Sequence, residues 1–478
     1  MPQESDGPIT QIEGSVPSWL RGTYYLNGPG RFTRGGRRWG HWLDGDGFVT
    51  RLRFEGGAGT IHATHRFVAS RKRSAEEEAG RPLFRAFGTA FEDDRLMGED
   101  ENSKSQHGRR RALGLESPVN VSVYPFAEKL LAFGEQGLPW ELDESTLETL
   151  GEHDFHRRLP PVAPFAAHPN FDERSGEMVN FGISFSTHRP QLRLYTFGPD
   201  GRLLRKRSHA LDAPRSVHDF GLSESFCVFH LGPYLLNMEP LTAGASLLEA
   251  LTWQPELGTK LLILHRNEQG PALELELPTR YCLHFIGCYE PSPNQLVVDC
   301  LELEKPIYDQ YTVPDLFTDV RHAHAVRYRI DLEQGCIEQR QELDFHHLCD
   351  FPATDPRQRD SPPEDLWVLG LSATDAPGRK FFDEISHLSW TAQGLKDRYL
   401  SPPGCYLGGE PVFLPELGKP GQGLLICQEL DARDGVPASR RSSFLLLDAQ
   451  DLAAGPIARL RLPSPVPLRF HACFRPDP

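Results

Sequence analysis

The segment Gln295-Leu296-Val297-Val298-Asp299-Cys300-Leu301 is a short, mostly apolar run that begins directly after Pro293-Asn294. Nine similar runs of four to seven residues recur along the chain, each bounded by Gly, Pro, Asn or Asp. They are Thr23–Leu26, Phe48–Phe54, Leu192–Phe197, Phe226–Leu231, Lys260–His265, Ala325–Ile330, Leu366–Leu371, Gly423–Gln428 and Ser443–Leu447. Short apolar runs between turn-forming residues are typical of β-strands. Because no amphipathic helix of about 10–15 residues separates them, the strands are predicted to form antiparallel meanders.

The composition supports a β-rich globular chain. Gly and Pro number 43 and 41 among 478 residues, and so many breakers favour short strands with tight turns over long helices. Hydrophobic residues make up 39%, which is enough for a sizeable core. The 51 Lys and Arg residues are outnumbered by 66 Asp and Glu residues, leaving a formal charge of −15. That balance argues against a nucleic-acid partner, because phosphate binding requires a concentration of cations.

Membrane insertion and secretion are not indicated by the sequence. No apolar stretch approaches the roughly 18–20 residues that a membrane-spanning helix requires. The segment from Met1 to Asp6 is acidic and lacks the basic-then-apolar pattern of a signal peptide. The chain is therefore predicted to be cytoplasmic, and its oligomeric state stays open.

A single-domain β-propeller is the architecture that best accommodates this number of strands. One sandwich cannot absorb them, and no Ser/Gly-rich or Pro-rich linker separates independent domains. A propeller removes exposed sheet edges by radial repetition, and seven blades over 478 residues give about 68 residues each. The prediction is an all-β, single-domain propeller spanning residues 1–478, although no sharp internal repeat is visible.

The nine cysteines form an odd number without a C-x-x-C pair. Several lie inside apolar segments, as Cys227 and Cys300 do. The sequence favours reduced, buried cysteines, with disulfides or a thiolate zinc site as alternatives.

The segment Gly244–Trp253 has helical rather than strand periodicity. Leu247, Leu248, Leu251 and Trp253 fall near one face of a helix. One interpretation is a short cap helix folded onto the end of the barrel. The other is an exposed apolar lip that touches a membrane or admits a lipophilic substrate, so peripheral membrane contact is predicted only by this second interpretation.

Familiar catalytic motifs are absent from the sequence, including the P-loop, the H-E-x-x-H zinc motif, the EF-hand loop and the G-x-S-x-G elbow. Two glycine-rich motifs, Asn27-Gly28-Pro29-Gly30 and Asp44-Gly45-Asp46-Gly47, are interpreted as turns. Their glycines are expected to allow positive φ, and their Asn or Asp side chains to bond locally.

Four of the 19 histidines share a setting that suits a metal site. His168, His218, His284 and His471 lie in or beside apolar stretches next to turn signals, as the inner-strand ends of a propeller would. With blades of about 68 residues, their spacing places them on four different blades. That spacing permits convergence on the axis, but histidines buried separately for packing stay the alternative at this point.

Six stretches of the chain match a known family in order. They are Arg21–Phe32, His41–Phe48, Ala167–Asn170, His218–Phe220, His284–Glu290 and Gly409–Phe413. Over about Ile12 to Phe474 the chain resembles the carotenoid cleavage oxygenase family. The resemblance implies a seven-bladed propeller with loops and short helices capping one face over an axial iron(II). It implies as ligands His168, His218, His284 and His471, whereas His41 and His62 are interpreted as non-ligands.

The resemblance also implies carboxylates that accept hydrogen bonds from the ligand rings and orient them. Glu135 and Glu410 match two of the family's three positions. The third position falls on Asp350, where the family usually carries glutamate. Because aspartate is one methylene shorter, its hydrogen bond is expected to be longer, water-bridged or achieved by a backbone shift.

The activity that the resemblance implies is cleavage of a conjugated C=C bond of a carotenoid or apocarotenoid by O₂, which yields aldehydes. Iron would bind and activate O₂, while the lipophilic polyene would lie in an apolar tunnel. Stilbene-cleaving members are one alternative, but they carry Lys before the first carboxylate, where this chain has Gly134. A retinoid isomerohydrolase is another, although this chain shows no evident palmitoylated cysteine segment.

Two alternatives come from other classes of protein. A non-catalytic propeller scaffold would bury the same histidines for packing alone. A calcium-dependent propeller hydrolase would require clustered acidic residues at the axis, where the matched positions are imidazoles. Metal analysis of the purified protein distinguishes these classes.

Overall fold

The computed structural model describes residues 2–57, 59–91, 114–135, 137–160, 163–185, 189–267, 270–358 and 361–477. Within these ranges the chain forms seven antiparallel sheets of four to six strands, together with two small two-stranded sheets. Each of the seven sheets is one blade of a β-propeller. The all-β, seven-bladed prediction is therefore confirmed.

Blades 1 and 7 join the two ends of the chain. Blade 1 contains β1 (Ser5–Pro8), β3 (Arg21–Leu26), β4 (Pro29–Arg31), β7 (Asp46–Glu55), β8 (Ile61–Phe67) and β35 (Ala472–Pro476). Blade 7 contains β2 (Gln11–Gly14), β31 (Cys405–Pro415), β32 (Gly423–Asp431), β33 (Ser442–Asp448) and β34 (Pro456–Arg461). Since β3 pairs with β35 and β2 with β34, strands from both ends close the ring. Closure protects the edges that an open array of blades would expose.

Blades 2 to 6 are four-stranded meanders in chain order. Blade 2 contains β9 (Ser122–Phe126), β10 (Lys129–Phe133), β11 (Trp140–Leu142) and β12 (Thr149–Glu152); blade 3 contains β13 (Asn170–Asp172), β14 (Glu177–Ser184), β15 (Gln191–Phe197) and β16 (Leu203–Ala210). Blade 4 contains β17 (Gly221–Leu222), β18 (Phe226–Leu231), β21 (Thr259–His265) and β22 (Leu273–Leu277); blade 5 contains β23 (Tyr281–Ser292), β24 (Gln295–Leu303), β25 (Ala323–Asp331) and β26 (Cys336–Glu342). Blade 6 contains β27 (Leu348–Ala353), β28 (Asp365–Leu371), β29 (Glu384–Ser389) and β30 (Gly394–Leu400). First strands of neighbouring blades contact one another, as β17 with β23 and β23 with β27 do, so they line the axis.

The remaining elements are short. The small sheets pair β5 (Thr33–Arg34) with β6 (Arg37–Arg38) and β19 (Tyr234–Leu236) with β20 (Leu251–Trp253). The described α-helices are α1 (Arg71–Ala79), α2 (Met238–Thr242), α3 (Leu247–Ala250) and α4 (Ala438–Arg441). Single 3₁₀ turns occupy Trp42–Asp44, Pro255–Leu257, Tyr308–Tyr311 and Leu452–Ala454. None of the described helices is long and apolar enough to cross a bilayer.

All ten apolar runs lie within strands. Burial explains why some strands of a blade are apolar throughout and others alternate between apolar and polar residues. Every residue of β18 is buried, because the strand lies inside its blade and is covered by neighbouring blades on both faces. The outermost strand β16 instead alternates between half-buried and exposed residues. Continuous and alternating apolar runs therefore report depth within a blade.

The glycine motifs are turns only in part, because Pro29 and Gly30 lie in β4 and Asp46 and Gly47 lie in β7. Neither Gly28 nor Gly47 adopts positive φ, so that part of the prediction is wrong. A Cβ on Gly28 would lie 2.4 Å from the Arg469 Cβ, and one on Gly47 would lie 2.1 Å from the Val119 carbonyl oxygen. These positions require glycine because neighbouring segments approach closely.

The nine cysteines are free thiols, and seven of them are buried. The structure thus agrees with the interpretation of reduced, buried cysteines and contains neither the disulfide nor the thiolate cluster of the alternatives.

Candidate metal centre

Four histidines reach the propeller axis from the inner strands of four blades. His168 precedes β13, His218 precedes β17, His284 lies within β23 and His471 directly precedes β35. Their possible ligand nitrogens all lie within 4.8 Å of one another, and all four residues are buried. Ring centroids are 4.4 Å apart for His168 with His218 and for His168 with His471. The structure therefore brings together all four predicted ligands, in a cluster able to hold one metal ion.

Three of the four rings meet a carboxylate through Nδ1. The pairs are His284 with Asp350 at 2.5 Å, His471 with Glu410 at 3.3 Å, and His218 in contact with Glu135. Among the described residues, no carboxylate pairs with His168. A carboxylate on Nδ1 fixes the proton there and leaves Nε2 as the lone-pair nitrogen.

Asp350 makes a direct contact with His284, so a longer or water-bridged bond is not what the structure shows. The pairing of β27 with β28 shifts register between Asp350 and Ala353, and Phe351 has a φ of 52°. The backbone next to Asp350 is therefore locally irregular. The Phe351 N–H and the Tyr311 hydroxyl also donate to the carboxylate, at 2.8 and 3.3 Å.

Burial and charge set the protonation of the cluster. Burial lowers the pKa of His168 and His471 well below the ordinary value, and the neighbouring rings add to the effect. Burial also opposes the charged form of His284, but the Asp350 carboxylate outweighs it and raises the pKa of this ring. Burial raises the pKa of Glu410 to about 7, although 23% of the side chain is still exposed. His168 and His471 are thus neutral near pH 7, which is the form that binds metals.

Two ring nitrogens show that the cluster suits a metal ion. His168 Nε2 and His284 Nε2 are buried and have no hydrogen-bond partner within the part of the chain that the structure describes. Buried polar atoms are nearly always satisfied in folded proteins, so two unsatisfied nitrogens in one cluster call for a ligand. Four imidazoles are a donor set that suits a divalent first-row transition metal.

Asp219 is a residue of this region that the sequence interpretation missed. Its carboxylate accepts hydrogen bonds from the backbone N–H groups of Phe220 and Phe285. Burial raises the pKa of Asp219 to about 6. Its position next to His218 in the chain was the only available signal, because the contact with Phe285 crosses from blade 4 to blade 5.

An apolar cavity opens beside His218 and Glu135. Most of its described lining is aromatic or aliphatic: Phe87, Pro164, Phe165, Ala166, Phe181, Ile183, Phe185, Val217, Leu236, Leu247 and Leu251. His218, Glu135 and Ser216 supply its polar surface. Apolar walls with a few polar groups at one end are typical of small-molecule sites.

The segment Gly244–Trp253 forms part of this cavity wall. It contains the short helix α3, which begins with a capping box between Ser246 and Glu249, followed by the strand β20. Leu247 and Leu251 face the cavity and are half-buried. The cap interpretation agrees with this structure, with one turn of helix rather than a helix over the whole segment.

Side chains from a distant part of the sequence hold the cap in place. The Arg85 guanidinium donates to the carbonyl oxygens of Leu241 and Ala245 at 2.6 and 2.9 Å. The Leu248 N–H donates to the Phe87 carbonyl at 2.8 Å, which joins α3 to the cavity residue Phe87. Hydrogen bonds from this loop therefore secure the helical part of the cap, while its strand β20 pairs with β19 in a two-stranded sheet.

Next to Phe87, the Asp44 carboxylate accepts from the Gly88 N–H and the Thr89 hydroxyl. The His41 ring packs on Phe87 and its Nε2 lies 2.8 Å from the Tyr308 carbonyl oxygen. The exposed His62 pairs with Asp6. Neither His41 nor His62 belongs to the four-histidine cluster.

The fold and the site together define the class of this protein: a seven-bladed β-propeller with a four-histidine metal-binding cluster on its axis. The chain belongs to the retinal pigment epithelial membrane protein family, whose model matches residues 1–476. The resemblance stated from the sequence is thereby confirmed.

Individual relatives agree with this family assignment. The chain is 27% identical to apocarotenoid-15,15'-oxygenase of Synechocystis sp., over 99% of this chain and 94% of that protein. It is 26% identical to resveratrol cleavage oxygenase 1 of Chaetomium globosum, over 98% and 86% of the two chains. A solved structure of cobalt-substituted Synechocystis apocarotenoid oxygenase matches with a TM-score of 0.85 and 24% identity, covering 100% of this chain and 97% of that one.

Proposed function

We propose that this protein is an iron(II)-dependent oxygenase that cleaves a conjugated C=C bond of a carotenoid or apocarotenoid with O₂, giving aldehydes. The observation that carries the proposal is the convergence of His168, His218, His284 and His471, with unsatisfied buried nitrogens in the cluster. The family and the apocarotenoid oxygenase relative support the oxidative cleavage chemistry.

The four imidazoles would hold the iron, and their neutral charge would leave it a dication. When bound, iron(II) supplies the one-electron chemistry that the reaction of O₂ with a closed-shell alkene requires. The chain's own contribution is orientation: Glu135, Asp350 and Glu410 each face the Nδ1 atom of one ring. Holding each ring in one tautomer and one orientation keeps the lone pairs directed at a common point.

The substrate would lie in the apolar cavity, with one double bond next to His218. Phe87, Phe165 and Leu251 would contact the polyene and exclude water from the reacting bond. Depth of insertion would choose the bond, because a polyene offers many similar double bonds and no polar handle along its length.

Gly134 is the reason to prefer a polyene over a stilbene. A Cβ at this position would lie 2.3 Å from the Ser117 Oγ and 3.1 Å from the Val119 backbone. A lysine there, as the stilbene-cleaving resemblance requires, would therefore force the segment 117–119 to move. Gly134 itself supplies no cation with which to bind a phenol of a stilbene.

We also propose that residues 1–478 act as one domain and that the cap side meets the membrane in which such substrates dissolve. Leu257, in the turn after β20, is 42% exposed on the same segment of chain. Sedimentation with phospholipid vesicles tests this contact. Leu257→Glu is expected to reduce the fraction of protein that sediments with the vesicles. If this variant sediments as wild type does, another surface contacts the membrane.

The main test is metal analysis combined with product identification. Purified protein is expected to contain near-stoichiometric iron and to release aldehydes from carotenoids or apocarotenoids, identified by mass. Calcium in place of iron would indicate a hydrolase, and no metal a scaffold. If the protein cleaves only the stilbenes in a mixed panel of substrates, it is instead a stilbene-cleaving oxygenase.

A further inference from the structure

Asp219 joins two of the strands that carry the histidine cluster. Its Oδ1 accepts from the Phe220 N–H at 2.7 Å, and its Oδ2 accepts from the Phe285 N–H at 2.8 Å. Asp219 follows His218 directly, and Phe285 follows His284 directly. One carboxylate therefore links the residues next to two predicted ligands, across the junction of blades 4 and 5.

The bond to Phe285 is a connection that the sheets themselves do not make. Strand β17 pairs with β18 and β23 pairs with β24, so no ladder of backbone hydrogen bonds joins β17 to β23. In addition, the pairing of β23 with β24 is irregular between Cys282 and Gly287, which is where His284 lies. The backbone beside His284 is thus less constrained by its own sheet than a regular strand would be.

We propose that Asp219 is a positioning residue for the metal centre, which sets the separation of His218 and His284 by holding the Phe285 backbone. The proposal rests on the proposed function, since it assumes that these rings bind a metal. Neither Asp219 oxygen pairs with an imidazole among the described residues, so the residue acts through the backbone and not as a ligand. This role differs from that of Glu135, Asp350 and Glu410, which face the rings themselves.

Asp219→Asn is the variant that tests the proposal. Asparagine keeps the size of the side chain but provides one acceptor oxygen, so its amide would oppose one of the two N–H donors. Either Phe220 or Phe285 then loses its partner, and the fixed spacing between the two blades is relaxed. Removing support of this kind from a metal ligand is expected to weaken metal affinity by about 10- to 100-fold.

Glu290 offers a matched control at the same junction. Its Oε1 accepts from the Ser225 N–H at 2.6 Å and from the Ser223 hydroxyl at 2.5 Å. It therefore also joins blade 4 to blade 5 with one carboxylate, but six residues beyond His284 along β23. Glu290→Ala removes this pair of bonds without touching the backbone beside a predicted ligand.

The experiment titrates metal-free full-length protein with Co(II) and follows its visible absorption, with circular dichroism as the measure of folding. Wild type is expected to bind one equivalent, and D219N to bind about 10- to 100-fold more weakly with a changed spectrum. E290A is expected to stay within about twofold of wild type, because distant sites act independently. If D219N does not fold, D219E keeps the charge and is expected to bind Co(II) about tenfold more weakly.

The outcomes separate the two levels of the hypothesis. The positioning role is overturned if folded D219N has the Co(II) affinity and absorption spectrum of wild type. If D219N does not fold, the same result in D219E overturns it. In both cases the proposed function still stands. Equal weakening in D219N and E290A would also overturn the positioning role, because the effect would then belong to the blade junction in general. Absence of Co(II) binding by wild type itself would overturn the proposed function and the role of Asp219 with it.

Discussion

The histidine cluster and the cap beside it are adjacent, yet they are built by different means. The histidines lie at or within inner strands, and three of their rings meet carboxylates supplied by other blades. The cap consists of one-turn helices, loops and the small β19–β20 sheet, and hydrogen bonds from Arg85 and the backbone at Phe87 hold its helices. The sheet thus determines where a metal is held, and the loops determine what shape of substrate can approach it.

This contrast has a consequence for substitutions. A change in the histidine cluster acts on a group that several blades position together, so no neighbour can take over its role. A change in the cap acts on the cavity wall, which many side chains form together. Substitutions at the histidine cluster are therefore expected to abolish activity, whereas substitutions in the cap are expected to change it by degrees.

The largest effect is expected for His218→Ala. Removing one of four imidazoles should abolish both iron retention and turnover, while the propeller stays folded because the ring contributes little to the core between blades. Metal analysis, product assays and circular dichroism measure the three properties. His62→Ala, at an exposed histidine paired with Asp6, is the control that should behave as wild type. Full activity of His218→Ala would contradict its assignment as a ligand.

The second effect concerns the charge of Asp350. Asp350→Asn keeps the shape but loses the carboxylate that faces His284, so metal affinity is expected to fall by about 10- to 100-fold. Asp350→Glu restores the residue usual in the family and is expected to retain most activity or to increase it mildly. Metal titration of both variants checks the difference. A D350E protein that fails to fold would instead indicate that Asp350 serves packing.

The third effect is a pH dependence on the cap side. Burial lowers the pKa of His41 from 6.5 to about 4, so the folded protein keeps this ring neutral where the unfolded chain protonates it. Stability from this site is complete above pH 6.5 and is lost as the pH falls toward 4, by at most about 3 kcal/mol. Urea unfolding at several pH values measures the slope. His41→Asn should flatten it, whereas an unchanged slope would assign the acid sensitivity to other groups such as His65.

The smallest effect is expected at the cavity wall. Leu251→Ala should change the relative kcat/KM of two apocarotenoids of different length by about tenfold, because one wall of the cavity recedes. Iron content should stay at the wild-type level. Leu257→Ala, in the exposed turn that follows β20, serves as the comparison. Equal changes for both substrates would mean that Leu251 does not take part in selecting them.

Much of the fold could be predicted from local patterns. The run Gln295–Leu301 predicted a strand that the structure extends to Leu303, and the other nine runs are strands as well. The assignment of Asn27–Gly30 to a turn was wrong for Pro29 and Gly30, which lie in β4, and the close approach of Arg469 to Gly28 is not visible in local sequence. Likewise, the cap segment was recognised from its helical period, but its attachment to Arg85 and Phe87 was not.

The primary structure alone determined the strand content, the acidic charge, the buried thiols and the identity of four histidines with a common setting. These properties depend on neighbours within a few residues, or on composition. Only the tertiary structure decided that the four rings lie within 4.8 Å, that Asp350 reaches His284 directly, and that Asp219 bridges two blades. Such contacts join residues 50 or more positions apart, and their distances follow from how blades pack around an axis, which no local pattern records.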